Sequence, residues 1–181
     1  MNTVEDPQVL HSMMCKLRSS GKRIGFVPTM GFLHDGHLSL IQRARTDCDH
    51  LVVSIYVNPL QFGPNEDLDT YPRDTVGDAR KCREQGTDTL FLPPNLYHPD
   101  HSTTVSVSSL TSGLCGASRP GHFDGVTTVV ARLFGLVQPH VAVFGEKDYQ
   151  QLAVIRRMVR DLSMDIDVNS EGDVNAFGLL P

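Results

Sequence analysis

An α/β fold, a parallel sheet wound on both faces by helices, is predicted by three features of this 181-residue sequence. Strand-type and helix-type segments alternate along nearly the whole chain. The strand-type segments are near-continuously apolar, as strands buried on both faces are. Three polar stretches, "TMGFLHDGH", "NPLQF" and "GEKDYQQ", follow predicted strands, where such sheets collect their ligands.

Taken in order, Val9, Leu10, Met13, Met14 and Leu17 recur at helical spacing within residues 7–20, and Gly21 ends that helix. "RIGFVPT" reads as a buried strand. "GHLSLIQRARTDC" reads as a helix with Leu38, Leu40, Ile41 and Ala44 facing inward. "HLVVSIYV", residues 50–57, is a second strand rich in β-branched and aromatic residues. "NPLQFGPNEDLDTYPRD" is too long and polar for a mere connector and reads as a binding loop or lid. A helix over residues 75–85 precedes the strand "DTLFLPP", and "TTVSVSSL" reads as an outlying strand or hairpin arm. "GHFDGVTTVVARLFGLV" is a long buried helix, although Val126 to Val130 alone would pass for a strand. "HVAVFGEKD" is a strand and turn, "YQQLAVIRRMVRDL" a helix, and "DIDV" a short last strand.

A hydrophobic fraction of 40% in this length supports one globular domain with a real core, and no segment is compositionally disordered. The net charge of −5 argues against a general nucleic-acid binder, while leaving room for a local anion site. Cys15, Cys48, Cys82 and Cys115 are far apart, which supports neither a metal-ligand set nor a disulfide framework. The N-terminal residues have no basic stretch followed by an apolar core, so no signal peptide is expected. With no apolar run of membrane-spanning length, the expectation is a soluble, cytoplasmic protein that meets no membrane.

The chemistry concentrates in "HDGH". His37 begins a helix, where free backbone N–H groups and the macrodipole favour an anion. His34 lies three residues earlier, so both imidazoles can face one space and donate to phosphate oxygens. Gly31 and Gly36 remove side chains where a ligand must approach the backbone. A His-x-x-His pair is also compatible with a solvated turn. Zinc lacks the H-E-x-x-H spacing and a nearby cysteine, so no metal site is assigned. Gln61 follows the second strand, and its amide can donate to a carboxylate or accept from a hydroxyl. Lys147 offers a point charge for phosphate. Asp148 can accept from a ribose hydroxyl, or, the simpler role, cap the following helix; Gln151 faces the same cleft or water. His11, His50, His98, His101 and His140 read as surface residues, and "RRMVRD" as the solvated face of a helix.

"PTMGFLHDGHLSL", "SIYVNPLQF", "YPRD", "RPGHFDGVTTVVARLF" and "VFGEKDYQQLAVIRRMVRDL" together resemble the pantothenate synthetase (pantoate–β-alanine ligase) family. The likeness runs from about Gly21 to Val168. H-x-G-H alone marks a broad nucleotidyltransferase superfamily; the later blocks in this order are far more specific. The resemblance implies a Rossmann-like fold of nucleotidyltransferase type and a two-step ligation. ATP and pantoate give pantoyl-adenylate and pyrophosphate; β-alanine then displaces AMP to give pantothenate. It further implies that Met30, Gly31, Phe32, Leu33, His34, Asp35, Gly36 and His37 line the ATP site, with Gly145, Glu146, Lys147 and Asp148 on its other side. His37 is then the general acid for the leaving pyrophosphate, with His34 and Lys147 beside it as catalytic groups. Gln61 and Gln151 hold pantoate, Gln61 also within reach of β-alanine. Mg²⁺ accompanies the triphosphate, and the chain pairs as a homodimer.

After "DIDV" the family continues into a Ser-Ser-Arg loop that closes on the ATP phosphates, and then into a smaller C-terminal domain. Here "NSEGDVNAFGLLP" follows, and the last basic side chain is Arg160. The expectation is therefore an ATP- and pantoate-binding domain over residues 1–168 and a divergent tail over 169–181, without the smaller domain. An unclosed site stays wet, which weakens its electrostatics and exposes an acyl-adenylate to water. Impaired activity follows from that expectation. The alternatives are a non-catalytic nucleotide- or pantoate-binding module, a defective subunit paired with an intact synthetase, and another adenylyltransferase sharing only H-x-G-H.

Overall fold

The computed structural model describes residues 1–63, 68, 70–108, 110, 119 and 121–172. Cys115, residues 64–67 and 69 of the long polar loop, and residues 173–181 of the tail lie outside the described residues. The elements in chain order are β1 (Asn2–Val4), α1 (Pro7–Ser19), β2 (Ile24–Thr29), α2 (Asp35–Thr46), β3 (His50–Ile55), α3 (Thr75–Glu84) and β4 (Thr89–Phe91). Then follow α4 (His122–Val137), β5 (Val141–Gly145), α5 (Tyr149–Asp161) and β6 (Asp167–Glu171). Short 3₁₀ turns at Pro59–Gln61 and Glu146–Asp148 follow β3 and β5.

The six strands form one sheet in the order β1-β4-β3-β2-β5-β6, every neighbouring pair parallel. The central strands bury both faces because successive side chains point to opposite sides. Phe26 of β2, Val52 of β3 and Phe144 of β5 join the core under α1, α4 and α5. Their neighbours Val27, Val53 and Val143 join the core under α2. The order reverses between β2 and β5, so a crevice opens beyond their carboxyl ends. The loops after β2 and β5 and the 3₁₀ turn after β3 all lie at that end of the sheet.

Several expectations need correction. The segment of "TTVSVSSL" described here, residues 103–108 and 110, is not a strand. Thr127 Oγ1 donates to the Val105 carbonyl, and Val105 N–H donates to Thr128 Oγ1 at 3.0 Å, so α4 side chains take the backbone bonds a partner strand would take. Val126 to Val130 are helical. The last strand begins two residues later than "DIDV" and runs on through polar Asn169, Ser170 and Glu171 beside β5. β1 was not foreseen. Four histidines read as surface residues, His11, His50, His101 and His140, are half-buried. Ile24 N–H donates to His140 Nδ1 at 2.9 Å, His50 Nε2 lies 2.9 Å from Thr89 Oγ1, His11 Nδ1 lies 3.4 Å from the Leu136 carbonyl, and the His101 ring packs on Tyr97.

Candidate functional site

β2 hands the chain to the site through a turn of unusual backbone. Gly31 has φ +86° and Phe32 φ +52°, two successive left-handed residues, the second strained for a residue with a side chain. A Cβ on Gly31 would lie 2.9 Å from the Ile55 side chain, so glycine is required there by space as well as by angle. The turn is held from below by α3. Asp78, 1% exposed, accepts from Phe32 N–H and from Leu33 N–H, each at 2.8 Å. One turn along α3, Lys81 Nζ donates to the Leu33 carbonyl at 2.5 Å. Leu33 itself is buried and anchors the turn in the core under α2.

The chain then enters α2 with His34 as its extended N-cap. Gly36 N–H donates to His34 Nδ1 at 3.1 Å, and His34 N–H to His37 Nδ1 at 3.4 Å, so the two imidazoles replace the usual Ser and Glu of a capping box. The rings stand 4.2 Å apart between centroids, tilted by 49°. Because both rings accept through Nδ1, each neutral ring carries its proton on Nε2. The local fold thus sets both tautomers as Nε2–H donors at a helix N-terminus, an arrangement suited to phosphate oxygens.

Gln61 ends the 3₁₀ turn after β3 and is 9% exposed. Its seat is built by the first turn of α4. The backbone passes so closely that a Cβ on Gly125 would lie 2.3 Å from the Leu60 carbonyl oxygen and 2.6 Å from Gln61 Cα. His122 Nδ1 lies 2.9 Å from the Gln61 carbonyl, which only a protonated Nδ1 can satisfy. Asn58, 1% exposed, donates from Nδ2 to Gln61 Oε1 at 3.2 Å and to the Gly125 carbonyl at 3.0 Å. The "HFDG" stretch is thereby explained as the support of a loop some sixty residues away in sequence.

A cavity of about 160 Å³ brings together His37, Met30, Gln61, Asp148 and Gln151 over an apolar floor from α4 and Phe144. Met30 and Tyr56 also line a second cavity of about 270 Å³, bounded further by Gly31, Arg73, Asp74 and Asp78. Lys147 is exposed and lines neither cavity, and Gly145, Glu146 and His34 also lie outside their linings. Glu146 Oε1 instead accepts from Ser170 Oγ of β6 at 2.9 Å. Asp148 makes no side-chain capping bond to α5, against the simpler expectation for it, and its residue borders the first cavity. Cys82 plays no part as a nucleophile: burial, with help from the Asp78 charge, pushes its thiol up to about 11. Asp78, Lys81, Asn58, His122 and Arg73 are the members sequence reasoning missed.

Comparison with known proteins is consistent across sequence and structure. The family described as Pantoate-beta-alanine ligase matches residues 2–173. The pantothenate synthetase of Maridesulfovibrio salexigens is 55% identical over 170 residues, 93% of this chain and 60% of that protein. That of a Pseudomonas putida strain is 56% identical over 180 residues, 97% of this chain and 63% of the relative. The chain therefore spans about three fifths of the length of these relatives. The crystal structure of pantothenate synthetase from Thermus thermophilus superposes with a TM-score of 0.90 at 50% identity, covering 95% of this chain and 62% of that one. A pantoate-beta-alanine ligase from Francisella tularensis, complexed with beta-gamma ATP and beta-alanine, gives 0.89 at 37% identity, covering 95% and 67%.

Proposed function

The chain belongs to the pantoate–β-alanine ligase family, and we propose that it joins pantoate to β-alanine with ATP through a pantoyl-adenylate, releasing pyrophosphate and AMP. The observation that carries this reading is the cavity at the reversal of strand order where His37, Gln61 and Gln151 meet. Three chain segments distant in sequence converge there on a space of small-molecule size with an apolar floor and a few polar groups.

The N-terminus of α2, with the Nε2–H groups of His34 and His37, receives the triphosphate. Pantoate lies between Gln61 and Gln151, its gem-dimethyl carbon against the apolar floor and its carboxylate towards the α-phosphorus. Carboxylate attack there develops charge on the leaving pyrophosphate, which His37 Nε2–H neutralises by donation. The turn over residues 145–148 flanks the nucleotide, with Lys147 reaching the phosphates from its exposed position. Most of the rate enhancement is positioning, because a buried pantoate and a cradled phosphate react as one molecule.

Mg²⁺ enters as part of the nucleotide substrate. The ion is held largely by triphosphate oxygens and water, as Mg²⁺ on a nucleotide is. The chain acts in the cytoplasm as a homodimer. Residues 1–168 serve as its ATP- and pantoate-binding domain. No helix among the described residues is long and apolar enough to cross a membrane.

Pyrophosphate release from ATP and pantoate, without β-alanine, tests the first half-reaction. The expected result is release that requires pantoate, with Gln61→Ala raising the pantoate concentration needed and leaving the ATP requirement nearly unchanged. Equal weakening of both substrates would reduce Gln61 to a prop of the fold.

A further inference from the structure

The carboxamide of Gln61 presents either an oxygen or an NH₂ group to the cavity, and the two ends have nearly the same shape. Its neighbours decide which. Asn58 lies between two backbone groups whose roles are unambiguous. Leu60 N–H can only donate and lies 3.3 Å from Asn58 Oδ1; the Gly125 carbonyl can only accept and lies 3.0 Å from Nδ2. Asn58 is therefore oxygen towards Leu60 and nitrogen towards Gly125. Its second N–H reaches Gln61 Oε1 at 3.2 Å. Tyr97 Oη lies 3.0 Å from Asn58 Oδ1, an atom without a proton, so the phenol is the donor. Of the two bonds to that oxygen, the one from Tyr97 is the shorter.

The result is a chain of bonds running in one direction: Tyr97 O–H to Asn58 Oδ1, Asn58 N–H to Gln61 Oε1, and Gln61 Nε2 out to the cavity wall, 2.9 Å from Met30 Sδ. Reversing Asn58 would set its NH₂ against the Leu60 N–H and its oxygen against the Gly125 carbonyl in a site where Asn58 is 1% exposed, and unmade bonds of buried groups are costly. We propose that Tyr97 and Asn58 are positioning residues that lock the Gln61 carboxamide with its N–H end in the cavity, making this subsite select an oxygen acceptor over a nitrogen donor. The proposal rests on the pantoate reading above for its ligand: the acid's carboxylate, an acceptor at both oxygens, is favoured, and the corresponding primary amide, which keeps one oxygen and carries NH₂ in place of the other, binds more weakly. A site built from oriented hydrogen-bond partners discriminates by leaving them unpaired with the wrong group.

Nuclear magnetic resonance of isotope-labelled chain tests the orientation directly. The Gln61 side-chain NH₂ protons are expected to show Overhauser contacts to the Met30 methyl group. Contacts from those protons to the Asn58 side chain in their place would overturn the proposal, whatever the chain binds. Competition between pantoate and pantoamide then tests the consequence. Tyr97→Phe keeps the ring and removes the donor, and is expected to lower the acid-over-amide preference by about 3- to 10-fold, the value of one neutral hydrogen bond, with ATP affinity unchanged. A merely structural role would weaken acid, amide and ATP together. An unchanged preference in a folded Tyr97→Phe chain would also overturn the proposal. A wild-type chain that takes neither acid nor amide would defeat the pantoate reading, and the Met30 contact would still decide the orientation.

Discussion

Replacing Asp78 by Asn exchanges one of the two oxygens that hold the turn before α2 for an NH₂ group. In the native chain each oxygen accepts one backbone N–H, from Phe32 and from Leu33, both at 2.8 Å. The isosteric amide keeps one of these bonds and sets a donor against the other N–H, in a site 1% exposed. A bond to a charged acceptor contributes about 1.5–3 kcal/mol, and a buried donor without a partner costs about 1–3 kcal/mol, so a net loss of about 2–4 kcal/mol is expected. For a chain of this size that lowers the melting temperature by roughly 4–16 °C. Phe32 already holds a left-handed backbone, so the relaxed turn abandons that conformation first and carries His34 out of its cap. ATP affinity should accordingly fall by about tenfold or more, about 1.4 kcal/mol of lost preorganisation. Thermal denaturation and calorimetric titration with ATP read the two effects separately. A variant that melts with the wild type and binds ATP equally well would refute the idea that α3 sets the geometry of the histidine turn.

Other outcomes follow from the same geometry. His37→Ala is expected to abolish pyrophosphate release while costing about 1 kcal/mol or less of stability in chemical denaturation, because it loses a long capping contact and no core packing; normal turnover would contradict its role as acid. Gly125→Ala places a Cβ 2.3 Å from the Leu60 carbonyl oxygen, so it should cost about 1–3 kcal/mol by overpacking and weaken pantoate more than ATP in titrations of the two. His140 has its pKa held below the ordinary 6.5 by burial and then by Arg18 and Arg23. Below pH 6.5 the unfolded chain binds this proton and the folded chain resists it, so stability is fully present above that pH and falls as pH drops. Denaturant midpoints measured across this range should slope less in His140→Asn than in the wild type.

The central sheet and the histidine turn were legible because their signals are local: continuous apolar strands, a glycine-bearing turn, and a helix starting at once. β1 is three residues long, too short for any periodicity, and β6 carries polar residues along an edge, where burial imposes no apolar pattern. The alternating "TTVSV" pattern misleads because the threonine side chains of α4, not a strand, satisfy its backbone. Asp78 and Lys81 lie three apart on a helix with strongly polar composition, and nothing nearby in sequence distinguishes them from a solvated face. Their targets, Phe32 and Leu33, are more than forty residues away. His122 and Gly125 belong to the "RPGHFDGVTTVVARLF" segment that resembles the family, but the reason for them, the seat of Gln61, exists only once α4 meets the 3₁₀ turn.

The most direct test of the proposed ligation is the formation of AMP and pantothenate by the purified chain supplied with ATP, Mg²⁺, pantoate and β-alanine, with a His37→Ala chain prepared in parallel. AMP and pantothenate are expected in equal amounts from the native chain, and neither above background from the variant. Equal product from both chains, or none from a folded native chain that binds ATP and pantoate, would contradict it.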